Sequence, residues 1–201
     1  YSPEEERIMG ALRAIAATVS PAMTVRTWSC LSGLEGSAAG ASSRDPVCAL
    51  QEVISHGDRG FFVFKDLAPH MQDSAVIRAL RDVYYSGRQV PGRFVFIISP
   101  EVSMPESLKK EMYLVEVAPP ADSENVQQIQ TVLEEHPDFQ LPEGAADEIT
   151  LALKGLMESE IRHVLNRVAQ LGNAGKDELL DEIFAEKRNI VKKSGYLEFS
   201  P

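Results

Sequence analysis

No lysine occurs ahead of Lys65 in this 201-residue chain, although nearly a third of it has passed by then. A phosphate-binding loop in that stretch would have to hold its anion without the ammonium such loops use. Cysteine is almost as scarce: Cys30 and Cys48 are the only two and form no Cys-x-x-Cys spacing, so neither a disulfide framework nor a zinc site is indicated. That usage suits a reducing cytosol, and a cytoplasmic location is expected. Long apolar runs are missing as well, and the N-terminus lacks a basic-then-apolar leader, so no membrane partner is expected. Positive charge is outnumbered, with 20 Lys and Arg against 30 Asp and Glu for a formal net charge of -10. Such a balance repels phosphate backbones, and nucleic acid is not expected as a partner. His56, His70, His136 and His163 are scattered without metal-ligand spacing.

What is present is a globular composition, 44% apolar, in a chain long enough for one domain or one with a small appendage. Ser2, Pro3 and Glu5 form a capping-box pattern for a helix reaching about Ala17. Thr24 to Cys30 is β-branched and aromatic, predicting a strand with Trp28 in the core, and the glycine- and serine-rich text after it predicts a mobile surface loop. Asp45 before Pro46 caps a short helix ending near Gly57. The runs "GFFVFKDL" and "RFVFIIS" predict two buried strands around a helix with apolar residues at Val76, Ile77, Leu80, Val83 and Tyr84, and "MYLVEVA" predicts a third. Alternating strands and helices predict an α/β fold built on a parallel sheet covered on both faces. From Asp122 onward four helical periodicities follow one another without a strand. The expected division is an α/β subdomain over 1–119 and an all-helical, lid-like subdomain over 120–201.

The chemistry of "GFFVFKDL" is the central question, because a buried strand running into charge has the shape of a Walker B element. A Walker A loop, GxxxxGK[ST], cradles phosphates with backbone N–H groups, a lysine and a hydroxyl. No such text exists in the chain, and "GLEGSAAGASS" offers glycines with only Arg44 as a cation. A working Walker B ends in adjacent carboxylates, whereas this strand ends Lys65-Asp66-Leu67. In either alignment one acid is missing. Lys65 reads first as a strand-end cation in an ion pair with Asp66 or a neighbour. Ser99 ends the next strand, at the place of a polar sensor, although a strand-end serine is also ordinary turn chemistry. Lys109 and Lys110 stand where an arginine finger is expected, and a point charge replaces a planar fork poorly. Arg162, at a second-sensor position, reads more simply as a helix-surface partner of Glu158. Ser99 and Ser103 lack a nucleophile-elbow sequence, and Cys30 lacks an activating turn.

In order along the chain, "SPEEERIMGALRAIA", "WSCLSGL", "FFVFKDL", "RALRD", "FIISPEVSMPESLKKE", "GLMESEIRHVL" and "EKRNIVKKSGYLEF" resemble the N-terminal region of the uncharacterised AAA-domain ATPases first named as a hypothetical chloroplast reading frame and widespread in bacteria. The resemblance covers almost the whole chain. It implies a P-loop-NTPase-like, AAA+-like module without a Walker A, preceding an AAA domain that carries the intact motifs, with an initial strand trimmed ahead of Tyr1. Lys65, Asp66 and Ser99 are then the degenerate Walker B and sensor positions. No cofactor is expected in this fragment, ATP and magnesium belonging to the parent chain. The expected partners are the AAA domain of the same polypeptide, a homo-oligomeric ring and protein clients. The function implied is non-hydrolysing: regulation, substrate engagement or subunit assembly. Two alternatives stand beside it, an ATPase whose phosphate loop lies in a missing strand, and an adaptor docking through its acidic helical part.

Overall fold

A computed structural model describes residues 4–19, 21–57, 59–100, 104–172 and 174–193. The chain divides into two compact units, Tyr1–Val117 and Ala118–Pro201. The first contains helices α1 (Glu5–Thr18), α2 (Pro46–Ser55) and α3 (Ser74–Gly87), and strands β1 (Thr24–Ser29), β2 (Gly33–Leu34), β3 (Gly60–Lys65) and β4 (Arg93–Ile98). The strands form one sheet in the order β2-β1-β3-β4, with β2 antiparallel to β1 and the rest parallel.

The apolar run of β3 explains this layering. Its alternate residues point to opposite faces, so a strand apolar at every position must be covered on both. Phe62 and Phe64 join Trp28 and the inner faces of α2 and α3 in one core. Phe61 and Val63 pack with Met9, Leu12 and Ala16 of α1 and with Ile98 of β4 in a second core on the other face. Trp28 and Phe64 are fully buried with ring centroids 5.2 Å apart. Each such side chain contributes about 1.5–3 kcal/mol by leaving water.

Local chemistry sets the helix ends. The Asp45 carboxylate accepts from the Cys48 N–H at 2.9 Å with Pro46 behind it, and Asp73 accepts from the Ala75 N–H at 2.8 Å. The helix α1 begins one residue after an N-cap at Glu4, so Glu5 is its first residue; the expected Ser2–Pro3 cap lies outside the described residues. At the far end of α2 the cap is remote in sequence. Arg93, only 8% exposed, donates to the carbonyls of Ile54, at 3.3 Å, and His56, and to Ser86 Oγ at 3.2 Å. Its charge thus meets the carbonyl end of a helix, the favourable end for a cation. Burial alone lowers its pKa from the ordinary arginine value.

Two expectations need correction. The glycine-rich stretch is a folded element rather than a mobile loop: β2 turns into a 3-10 helix over Gly40–Arg44 that is tied to the core. The Trp28 indole donates to Ser43 O at 2.7 Å, and Ser43 Oγ accepts from Leu34 N at 3.0 Å and donates to Gly40 O at 2.7 Å. A buried indole requires an acceptor, and this turn supplies it. Conversely, "MYLVEVA" is no strand. Residues 112–118 join no ladder, and Tyr113 is 91% exposed. Strand-like composition forms a strand only beside a partner, and among the described residues β4, the last strand of the sheet, pairs on one side only.

The second unit contains α4 (Asp122–Glu135), α5 (Ala145–Ala152), α6 (Glu158–Ala169) and α7 (Lys176–Lys193) around a core that includes Ile129, Ile149, Leu153, Ile161, Val164 and Leu179. Glu124 and Glu160 reach back to the N–H groups of Ala121 and Met157, each at 2.8 Å, satisfying donors at the starts of α4 and α6. Lys187 of α7 donates to the carbonyls of Ala152, at 2.8 Å, and Lys154, at 2.6 Å, closing the end of α5. Asn125 is 1% exposed, and neither of its amide atoms has a hydrogen-bond partner. No described helix is long and apolar enough to cross a membrane.

Trp28 is the chain's single tryptophan and reports on the α/β unit alone. Arg93→Met should lower the unfolding free energy followed by its fluorescence by about 1–3 kcal/mol, because the α2 carbonyls lose a charged donor. In the helical unit, Asn125→Leu should leave the denaturation midpoint followed by circular dichroism unchanged or raise it, since it removes a buried amide that has nothing to bond. A loss above about 1 kcal/mol would instead show that an ordered water serves that amide.

Candidate functional site

In open parallel sheets ligands bind outside the carboxyl ends of the strands, and the three residues singled out in the sequence all sit there. Lys65 ends β3 in register with Ile98, the last residue of β4. The Asp66 N–H donates to Ile98 O at 3.0 Å, and Ser99 follows directly. The sheet therefore brings Lys65, Asp66 and Ser99 to one edge.

Each is in a different state. Lys65 Nζ lies 2.7 Å from Glu5 Oε1 in the first turn of α1, with side chains 27% and 37% exposed. The neighbour that pairs with Lys65 is thus across the sheet edge rather than next in sequence. Asp66 is exposed and has φ 53°, the one non-glycine at positive φ among the described residues. Leu67 is fully buried in the larger core, so the chain reverses sharply at Asp66 to bring it there. Aspartate tolerates this left-handed conformation better than most residues. With Leu67 inside, only positions 65 and 66 present side chains at the edge, one basic and one acidic. Ser99 is 8% exposed. Among the described residues no group of three or more His, Cys, Asp or Glu is placed to hold a metal ion.

The other residues considered lie elsewhere. Lys109 pairs with Glu106 at 2.5 Å. Arg162, expected to pair along its own helix with Glu158, reaches Glu135 of α4 at 2.6 Å, and Glu158 accepts from Gln128 at 3.0 Å. His136 bonds Asn166 at 3.3 Å, and His163 lies 3.8 Å from Glu186. Both cysteines are free and exposed. The glycine-rich turn borders an open cavity of about 580 Å³ that includes Arg13, Thr27, Glu35 and Ser37 and none of the three edge residues. The Glu35 carboxylate there accepts from the N–H and hydroxyl of Thr27, both at 3.3 Å, which places negative charge where an anion cradle needs the reverse. Glu5 is the contributor that sequence reasoning missed. An acidic first helical turn is visible in the text, but its pairing with a lysine sixty positions on is not.

A three-strand parallel core with a carboxylate and a serine at its carboxyl edge, followed by an all-helical unit, is the plan of an AAA+ module. Residues 1–117 match the family model for the N-terminal domain of SpoVK-like AAA ATPases, and residues 124–194 match that for the second domain of the same proteins. The chain belongs to this family. Among curated proteins it is 27% identical over 137 residues to the uncharacterized AAA domain-containing protein ycf46 of Guillardia theta, covering 68% of this chain and 27% of that protein. To the protein of the same name from Pyropia yezoensis it is 25% identical over 164 residues, covering 81% and 33%. The chain thus spans about a third of the length of these relatives. Among solved structures, the AAA domain of FIGL-1 in complex with ADP aligns at 12% identity and a TM-score of 0.47, over 71% of this chain and 55% of that one.

If Asp66 is held at positive φ by the burial of Leu67 rather than by a contact of its own carboxylate, Asp66→Gly should stabilise the α/β unit by up to about 1 kcal/mol. Denaturant unfolding followed by Trp28 fluorescence measures this. A drop in stability would mean that the carboxylate makes a contact worth more than the backbone strain.

Proposed function

We propose that this chain is a non-hydrolysing AAA+ module that serves a larger AAA ATPase through regulation, substrate engagement or subunit assembly. One observation carries the reading: at the edge where hydrolysis needs two adjacent acids, the first position is a lysine whose ammonium is already paired with Glu5 at 2.7 Å. A cation there opposes magnesium rather than coordinating it. Asp66 alone keeps an acid's place, and without the second carboxylate the edge has no group to polarise an attacking water.

In this reading ATP and magnesium act in another AAA domain of the same polypeptide, and the module's contacts are with that domain, with neighbouring copies in a ring, or with protein clients in a reducing aqueous compartment. Lys65, Asp66 and Ser99 are then an architectural remnant, in which Lys65 pins α1 to the sheet and Asp66 turns the chain.

Calorimetric titration of the 201-residue chain with ATP and magnesium tests the proposal. No saturable heat is expected, and no phosphate release above the buffer rate. A micromolar dissociation constant that is lost in the Asp66→Asn variant would overturn the inert reading and return the site to nucleotide binding.

A further inference from the structure

The helical unit leaves large apolar side chains in water along one seam. Helices α5 and α7 pack side by side, and the ties between them show that they run parallel. Glu148 accepts from Lys176 at 2.8 Å near the start of α7, and Lys187 donates to the carbonyls of Ala152 and Lys154 further along both helices. Between these ties stand Leu151 on α5 and Leu180 and Phe184 on α7.

Helical geometry puts the three on the same side. Successive residues are about 100° apart around a helix, so Leu151 lies about 60° from Glu148, turned away from the buried Ile149. Phe184 likewise lies about 60° from Lys187, turned away from the buried Ile183, with Leu180 between those two directions. Glu148 and Lys187 mark where each helix faces the other, so the further rotation carries Leu151 and Phe184 to the outer mouth of the seam. Leu151 is 63% exposed and Phe184 46%, while Leu180 is partly buried against the core beneath them. One exposed leucine carries no meaning by itself, but an apolar strip along a helix pair is the shape that receives an amphipathic segment.

The charge around the strip selects its occupant. Asp147 precedes Leu151 by one turn, and Asp177 and Asp181 precede Phe184 by two turns and one. All three are exposed and have no ion-pair partner among the described residues, and Arg188, one turn beyond Phe184, stands against them. Glu148 is already paired with Lys176, whose pKa is raised by that carboxylate first and by Asp177 as well. A second copy presenting the same face would set these carboxylates against one another, and an anionic lipid surface or a phosphate backbone would be repelled too. A segment whose apolar side chains are flanked by lysine or arginine satisfies both the strip and its rim.

We propose that the outer seam of α5 and α7 is a docking surface for a basic amphipathic segment of a partner protein, with Leu151 and Phe184 as apolar anchors and Asp147, Asp177 and Asp181 as the rim. The surface lies wholly within the helical unit and is independent of the edge at Lys65 and of whether that edge binds nucleotide.

A fluorescein-labelled peptide of about five helical turns, leucine and lysine at amphipathic spacing, is the probe, and its leucine and glutamate counterpart is the control. Titrated with the 201-residue chain, the lysine peptide should give a saturable rise in anisotropy and shift the backbone amide resonances around Leu151 and Phe184, and the glutamate peptide should do neither. Leu151→Ser with Phe184→Ser should weaken binding about tenfold or more. Asp177→Asn with Asp181→Asn should weaken it and flatten its salt dependence. Should the serine pair lower the thermal midpoint followed by circular dichroism, the asparagine pair decides. Lack of saturable binding, equal binding by the variants, binding of the glutamate peptide or shifts confined to other helices overturns the proposal. So does a dimer in sedimentation that Leu151→Ser abolishes, which would assign the face to a second copy.

Discussion

The α/β unit is organised by one constraint, the burial of β3 on both faces. A strand that carries Phe61, Phe62, Val63 and Phe64 in succession cannot leave either face to water, so helices must cover both. The placement of α2 and α3 on one face and α1 on the other follows from that requirement. So does the position of the edge residues, since the carboxyl end of the most deeply buried strand is where the chain first reaches solvent, at Lys65 and Asp66.

Much of this plan was legible in the text. Apolar runs at 60–64 and 94–98, helical spacing at 76–84 and the Asp45-Pro46 start are local signals, and the structure realises each of them. Four helical periodicities after residue 121 became α4 to α7 with only their ends displaced. What was illegible was non-local. The segment 112–118 carries the propensity of a strand, but propensity does not reveal whether a partner strand is beside it. The glycine-rich stretch looked unrestrained because its restraints, the Trp28 indole and the Glu52 carboxylate bonded to Ser37, belong to other elements.

The candidate site was legible as a set of positions and illegible as a set of states. Strand ends place Lys65, Asp66 and Ser99 together by simple topology. That Lys65 is held by Glu5, that Asp66 is turned outward at positive φ and that Leu67 is drawn into the core are products of packing. In the proposed reading these states mark an edge that keeps its geometry without the hydrolytic chemistry, and they give the lysine an ion pair with Glu5 where the sequence offered only a substitution.

The contact between Lys65 and Glu5 also bears on how the unit comes apart. The core beneath α1 is the smaller of the two that flank the sheet, while α2 and α3 share the larger one with Trp28. Cooperative opening begins where the least apolar surface is held, so α1 forms the weakest layer, and part of its attachment is a half-exposed ion pair that dissolved salt screens. Dissolved salt therefore reaches one small part of the attachment of α1, while the apolar contacts beneath that helix are not screened by it.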